Sequence, residues 1–186
     1  MNNIWDNQEL IKVLTQGGVV VMSTDTVYGI VAKAEDVLAV ESVYQARHRS
    51  PEKPCIILIG NVSELEKFSI VLTQAQKEKL KEYWPGPVSV ILDCANDKFE
   101  YLHRGTRTLA FRLPAPESLR EFLLKTGPLI APSANPEGLL VAKDIAQAKS
   151  YFGDKVDFYL DVGEVLGKAS KIIQLGKDGN VTIIRS

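Results

Sequence analysis

Cysteine and histidine are scarce in this sequence, two of each among 186 residues, and the scarcity closes off several chemistries. Cys55 and Cys94 stand far apart with no Cys-x-x-Cys neighbour. Each falls in an apolar run, Cys-Ile-Ile-Leu-Ile and Val-Ile-Leu-Asp-Cys, so both read as buried free thiols of a reduced compartment. His48 and His103 have no metal-ligand spacing, which argues against a structural zinc site. No apolar run approaches the ~20 residues that cross a bilayer. The opening Met-Asn-Asn-Ile-Trp-Asp has neither a basic nor an apolar stretch and is no secretory signal. The expected location is therefore the cytoplasm, away from any membrane. Charge of one sign is missing too: 22 Lys+Arg against 23 Asp+Glu leave a formal net charge of -1. That excludes binding by bulk positive charge, but not a basic cleft balanced by acidic helices elsewhere.

Familiar catalytic signatures are also missing. There is no G-x-G-x-x-G for a dinucleotide and no G-x-S-x-G for an esterase-type serine. Gly163 to Lys168 evokes a phosphate-binding loop only superficially. Three residues separate its glycines where that motif needs four, and Ala169 stands where a Ser or Thr would reach magnesium.

What is present is a globular composition, 45% hydrophobic and 24% charged, in a chain long enough for one domain spanning residues 1–186. A chain of that size hides roughly 70% of its unfolded surface and needs neither disulfide nor metal to hold a core. Strand and helix signals alternate without a linker or repeat. Asp6 with Glu9 predicts a capped amphipathic helix that Gly17-Gly18 ends. Val19 to Met22 reads as a buried strand. A helix is expected from Asp36 to Ala46, with Leu38, Val40, Val43 and Tyr44 on or near its inner side. Thr73 with Gln76 caps another, reaching Tyr83 before Trp84-Pro85-Gly86-Pro87, and a third runs from Pro116 to Thr126. Further strands are expected at 55–59, 88–92, 108–113, 129–132, 158–162, 171–175 and 181–185. The last two flank a hairpin turn at Gly176–Asn180. Some strands are separated by helices and others are not, so the fold class is α/β of the α+β type, a twisted mixed parallel and antiparallel sheet flanked by helices.

Five constellations can carry chemistry. Ser23-Thr24-Asp25-Thr26-Val27-Tyr28-Gly29 follows the first strand, where ligands of α/β sheets often bind, although an ordinary turn explains it equally well. Arg47-His48-Arg49-Ser50-Pro51-Glu52-Lys53-Pro54 gathers three cations suited to a polyphosphate or carboxylate. Capping of a helix C-terminus accounts for Arg47 but not for Lys53. Arg112 lies inside an apolar strand, where it needs either a structural carboxylate or a ligand's. Pro132-Ser133-Ala134-Asn135-Pro136 offers a hydroxyl and an amide just after a strand. The segment from Gly163 to Ser170 brings a hydroxyl and flexible backbone to a loop. The residues alone thus suggest a cationic, hydroxyl-lined anion site without a strong acid, base or nucleophile.

Taken in order, Thr24-Asp25-Thr26-Val27-Tyr28-Gly29, Arg-x-Arg-x-x-x-Lys-Pro, Trp84-Pro85-Gly86-Pro87, Arg112-x-Pro114 and Pro132-Ser133-Ala134-Asn135 resemble the YrdC-like threonylcarbamoyl-AMP synthase family of short, single-domain type. The resemblance runs from about Gly17 to Arg185. It implies an enzyme that makes threonylcarbamoyl-AMP from L-threonine, bicarbonate and ATP, releasing pyrophosphate, for threonylcarbamoyladenosine modification of tRNA. It implies as partners tRNA or double-stranded RNA and downstream tRNA-modifying proteins. By the same resemblance Arg47, Arg49 and Lys53 hold the triphosphate and act in catalysis, with a magnesium ion sharing its charge and no metal held by the protein itself. Thr108, Asn135 and Arg185 line the nucleotide. Thr26, Ser133 and Ser170 hydrogen-bond threonine, and Arg112 pairs with its carboxylate.

The sequence departs from the family pattern at three of these places. Arg47 replaces the usual Lys of Lys-x-Arg, Pro136-Glu137-Gly138 replaces Ser-Gly after Asn135, and Ser170-Lys171-Ile172 replaces Ser-Thr-Val/Ile. Two rival readings remain on sequence grounds. One is an RNA-binding or ribosome-associated module without catalysis. The other is a divergent paralogue acting on another nucleotide or carbamoyl compound.

Overall fold

A computed structural model describes residues 4–186; residues 1–3, on which part of the N-terminal reading rests, lie outside the described residues. Short β-branched and aliphatic runs become strands buried on both sides. In β1 (Val20–Ser23), Val20 and Met22 enter one apolar cluster while Val21 enters the other. The same alternation places Tyr28, Ile30 and Ala32 of β2 (Tyr28–Lys33) on one face and Val31 on the opposite one, as the two-residue period of a strand requires. Burial on both faces is why these stretches read as continuous apolar runs.

Among the described residues nine strands form one sheet in the order β7-β1-β2-β6-β3-β5-β4-β8-β9. The remaining strands are β3 (Ile56–Leu58), β4 (Val88–Asp93), β5 (Thr108–Arg112), β6 (Leu129–Ile130), β7 (Phe158–Tyr159), β8 (Lys171–Leu175) and β9 (Val181–Arg185). Three neighbouring pairs, β1 with β7, β3 with β5 and β4 with β8, are parallel and the others antiparallel. The sheet is mixed, as anticipated. The terminal hairpin closes at its expected turn, with the Gly176 N–H donating to the Asn180 carbonyl at 2.9 Å.

Helices cover the two faces unequally. Helix α1 (Gln8–Thr15) and helix α5 (Glu117–Thr126) bury Leu10, Leu14, Leu119, Phe122 and Leu123 against Val20, Met22, Val31, Leu58 and Leu129. The other face carries the larger cluster, under α2 (Val37–Arg47), α3 (Gln74–Leu80), α4 (Glu100–His103) and α6 (Ile145–Phe152). On the smaller side the apolar cover stops at Leu58 of β3. Beyond it, the same face of β5, β4 and β8 carries Arg112, Ser89 and Ile172 in place of core residues. This bare stretch of sheet becomes the floor of a cavity.

Several sequence expectations need correction. The cap of α1 is Asn7, whose Oδ1 accepts from the N–H groups of Glu9 and Leu10. Asp6 instead pairs with Lys125 at 3.1 Å. Leu38 is 80% exposed, on the outer side of α2. Helix α3 keeps its Thr73–Gln76 capping box but ends at Leu80, short of Tyr83. Strands β6 and β7 are two residues each, shorter than read. Strand β2 and helices α4 and α6 were not anticipated; the turn-like residues before β2 and the small size of α4 hid their periods. No helix among the described residues is long and apolar enough to cross a membrane.

Candidate functional site

The bare floor is ringed by four loop segments into a cavity of about 150 Å³, with Ile56, Arg112 and Ile172 at its base. Thr24, Thr26, Arg47, Arg49, Ser133, Ser170 and Arg185 stand in its wall. Four guanidinium groups thus converge on one hollow. Ligand pockets usually run to ~300–1,000 Å³, so this one has room for a small amino acid or a phosphate group and is too small to enclose a whole nucleotide.

The loop after β1 builds one wall. The Thr24 hydroxyl donates to the Val27 carbonyl at 2.8 Å and lies 3.1 Å from the Thr26 hydroxyl. That turn places Thr26 Oγ1 within 3.3 Å of Arg112 Nη2. Arg112 Nε and Nη2 both donate to Asp25 Oδ1, at 3.1 and 2.9 Å, and both side chains are only 3% exposed. Burial pushes the Arg112 guanidinium below its usual pKa, and Asp25 opposes that shift. Of the two partners left open for Arg112, the structure supplies the protein's own carboxylate. Asp25 Oδ2 is buried without a hydrogen-bond partner.

Helix α2 delivers Arg47 from its last turn and ends at His48, which sits at φ 49° in the left-handed region. A side chain rarely takes that conformation, and here it turns the chain so that Arg49 also reaches the cavity. Arg47 Nε donates to the Asn135 carbonyl at 2.9 Å, and Nη2 reaches Asn135 Oδ1 at 3.4 Å and Ser133 Oγ at 3.5 Å. Nη1 is buried and unpartnered. Burial, reinforced by Arg49, lowers the Arg47 pKa to about 10, so it remains a cation at neutral pH. A buried donor without a partner costs about 1–3 kcal/mol, which a ligand oxygen would recover. Arg49 Nε and Nη2 donate to the carbonyls of Lys53 and Pro54 at 2.9 and 2.8 Å, clasping the loop into β3.

The third wall comes from the segment before β8. The Tyr28 hydroxyl donates to the Gly163 carbonyl at 2.8 Å and accepts from the Val162 N–H at 3.1 Å, fastening this segment to β2. Gly167 passes so close to Thr26 that a Cβ there would fall 1.5 Å from the Thr26 carbonyl oxygen. Ser170 Oγ lies 2.9 Å from Ser89 Oγ, and the Ser170 carbonyl accepts from Arg185 Nε and Nη2 at 3.1 and 2.6 Å. Burial lowers the pKa of Arg185 as well.

Of the residues singled out from sequence, Thr26, Arg47, Arg49, Arg112, Ser133, Ser170 and Arg185 share this cavity. Three do not stand in its wall. Thr108 begins β5, at the opposite end of the strand from Arg112, and its hydroxyl donates to Thr106 Oγ1. Asn135 stands behind the wall. Its oxygen accepts from Ser133 Oγ at 2.7 Å and its amide donates to the carbonyls of Pro136 and Leu139, so it holds Arg47 and the loop in place. The side chain of Lys53 is largely exposed and ion-paired with Glu137. Sequence reasoning missed Tyr28 as an anchor and Thr24 as a turn former, although both stand in the first motif.

A magnesium ion sharing a nucleotide's charge would draw mostly on the phosphates themselves. Among the described residues no group of three His, Cys, Asp or Glu side chains gathers to hold a metal, and Asp25, beside the cavity, gives Oδ1 to Arg112 and leaves only its buried Oδ2. Mg²⁺ commonly relies on one or two carboxylates plus the substrate's own phosphates.

Residues 12–186 match the model of the Sua5/YciO/YrdC family, described as telomere recombination. A threonylcarbamoyl-AMP synthase of Marinobacter nauticus is 31% identical over 143 residues, 76% of this chain and 75% of that protein. The Pyrococcus abyssi threonylcarbamoyl-AMP synthase is 31% identical over 164 residues, 87% of this chain and 48% of its own. The crystal structure of P. abyssi Sua5 complexed with L-threonine superposes with a TM-score of 0.86 at 28% identity, covering 98% of this chain and 54% of that one. This chain therefore spans about half the length of the Pyrococcus protein.

Proposed function

The chain belongs to the Sua5/YciO/YrdC family, and from that premise we propose that it is a threonylcarbamoyl-AMP synthase. One observation carries the reading. Four guanidiniums and four hydroxyls converge on a cavity whose thiol, Cys55, is pushed up in pKa by burial, and no poised base stands among the lining residues. Such a site suits a reaction in which the substrates supply the reacting atoms and the protein supplies position and charge.

Threonine's amine and bicarbonate give a carbamate with loss of water. A carbamate oxygen then attacks the α-phosphorus of ATP, the bond to the bridging oxygen breaks, and pyrophosphate leaves. Thr26 and Ser170 hold the amino acid at the enclosed end, and Arg112, fixed by Asp25, faces its carboxylate. Arg47 and Arg49 neutralise the charge that builds on the phosphates. Arg47 Nη1 and the donors that Arg49 does not spend on the loop are the groups free to do so. Arg185 steadies Ser170 and borders the nucleotide at the mouth, with magnesium travelling on the phosphates. The adenylate product is an activated acyl donor, consumed by a carbamoyl-transferring partner acting on tRNA.

The test measures threonine-dependent pyrophosphate release with bicarbonate and ATP, in wild type and Arg49→Ala. Release in wild type with a large loss in the variant is the expected result. Equal rates in both proteins, or none in either, overturn the proposal.

A further inference from the structure

We propose that Glu137 is an internal competitor for the outermost phosphate contact, holding Lys53 out of the cavity until a polyphosphate displaces it. The inference rests on the anion-binding reading of the cavity. It concerns a residue that stands outside the family pattern.

Three contacts tie Glu137 to the cationic segment. Its Oε1 is ion-paired with Lys53 Nζ. Oε2 accepts from the Ser50 N–H at 2.6 Å, and the Glu137 N–H donates to the Arg47 carbonyl at 2.8 Å. One carboxylate therefore bridges the loop after β6 to the loop before β3. Lys53 Nζ and the Ser50 N–H, a cation and a backbone donor on two oxygens of one group, form the donor set that a phosphate would use. Glu137 fills that set from within. The Lys53 pairing, helped by the Ser50 N–H, holds the Glu137 carboxyl below its ordinary value, so the competitor is charged at neutral pH.

The arrangement also allows release. The Lys53 backbone is pinned, since its carbonyl accepts from Arg49 Nε at 2.9 Å and from the Tyr44 hydroxyl at 2.8 Å. Only the four-carbon side chain has to move. Its pairing with Glu137 is exposed, 60% on the lysine side, and exposed pairs are weak. A ligand carrying several negative charges, already drawn in by Arg47 and Arg49, outcompetes a single carboxylate. Glu137 thereby lowers the affinity of the site for polyphosphate.

The experiment is calorimetric titration of the full chain with inorganic tripolyphosphate at low ionic strength. It uses wild type, Glu137→Gln, Glu137→Ala, Lys53→Ala and Lys53→Ala/Glu137→Gln, with thermal melts to confirm folding. Glu137→Gln and Glu137→Ala are each expected to bind about fivefold more tightly than wild type, the upper worth of one exposed ion pair. With Lys53 absent, the gain from Glu137→Gln falls to about twofold, the screened effect of removing one nearby negative charge. Equal affinity of wild type and both Glu137 variants, or the same gain with and without Lys53, overturns the inference. Threonine-dependent pyrophosphate release in wild type reports on the proposed activity separately. Its absence alongside the tripolyphosphate coupling would retire the enzyme reading and leave the competitor standing.

Discussion

Arg112 places two of its nitrogens on a single oxygen of Asp25, at 3.1 and 2.9 Å, with both side chains buried. The guanidinium is thereby fixed in one orientation beneath the Thr26 hydroxyl. Breaking such a pair leaves an uncompensated charge in the interior. Asp25→Ala is expected to cost about 3–5 kcal/mol in denaturant unfolding. Asp25→Asn, which keeps an acceptor oxygen, should cost less while still loosening the threonine end of the site.

Thr26 is the hydroxyl closest to that guanidinium. Thr26→Val keeps the shape and removes the contacts to Thr24 Oγ1 and Arg112 Nη2. One lost neutral hydrogen bond to substrate is worth about 1 kcal/mol, so the KM for threonine should rise about fivefold. The KM for ATP, measured in the same assay, should change much less.

Gly167 leaves no room for a side chain against the Thr26 carbonyl. Gly167→Ala must push the segment before β8 outwards and open the wall that Ser170 completes. Misplacing a positioning group by about 1 Å can cost about 100-fold in rate, and a loss of that order in kcat/KM is expected. Because the segment is largely exposed, the thermal midpoint should fall only slightly.

The Glu137 carboxyl titrates below its ordinary value because Lys53 and the Ser50 N–H favour its charged form. Between the folded and unfolded values the unfolded chain binds more protons, so stability rises with pH through that window. The contribution is present above the unfolded value and is lost as pH falls through the folded one. In Lys53→Ala the carboxyl resonance followed by NMR should titrate at higher pH than in wild type.

The anionic and cationic halves of the site were unequally legible in the sequence. Arg112 announced itself, because an arginine inside an apolar strand needs a partner. Its partner Asp25, 87 residues away, could not be chosen over a ligand, since pairing across a sheet is set by strand order. Arg47 and Arg49 were visible as a cluster, but the left-handed turn at His48 that brings Arg49 to the cavity beside Arg47 carries no residue signature. Thr108 was assigned by resemblance and lies outside the cavity wall, because it and Arg112 are the two ends of a five-residue strand. Lys53 was visible in the sequence as a cation that helix capping does not explain. What turned it away was a carboxylate from the loop after β6, visible as a departure at Glu137 and not as a contact. The mixed sheet followed from the order of strand and helix signals. Helix α4 did not, since four residues are too few to show a period, and β6 and β7 came out shorter than read.

The cavity draws on β1's loop, α2, β5, the turn after β6 and the final hairpin, so its rim is stitched from nearly the full length of the chain. No fragment carries the whole pocket. A nick in any of these stretches, even one that leaves most of the core intact, would silence the hollow before it unravelled the molecule.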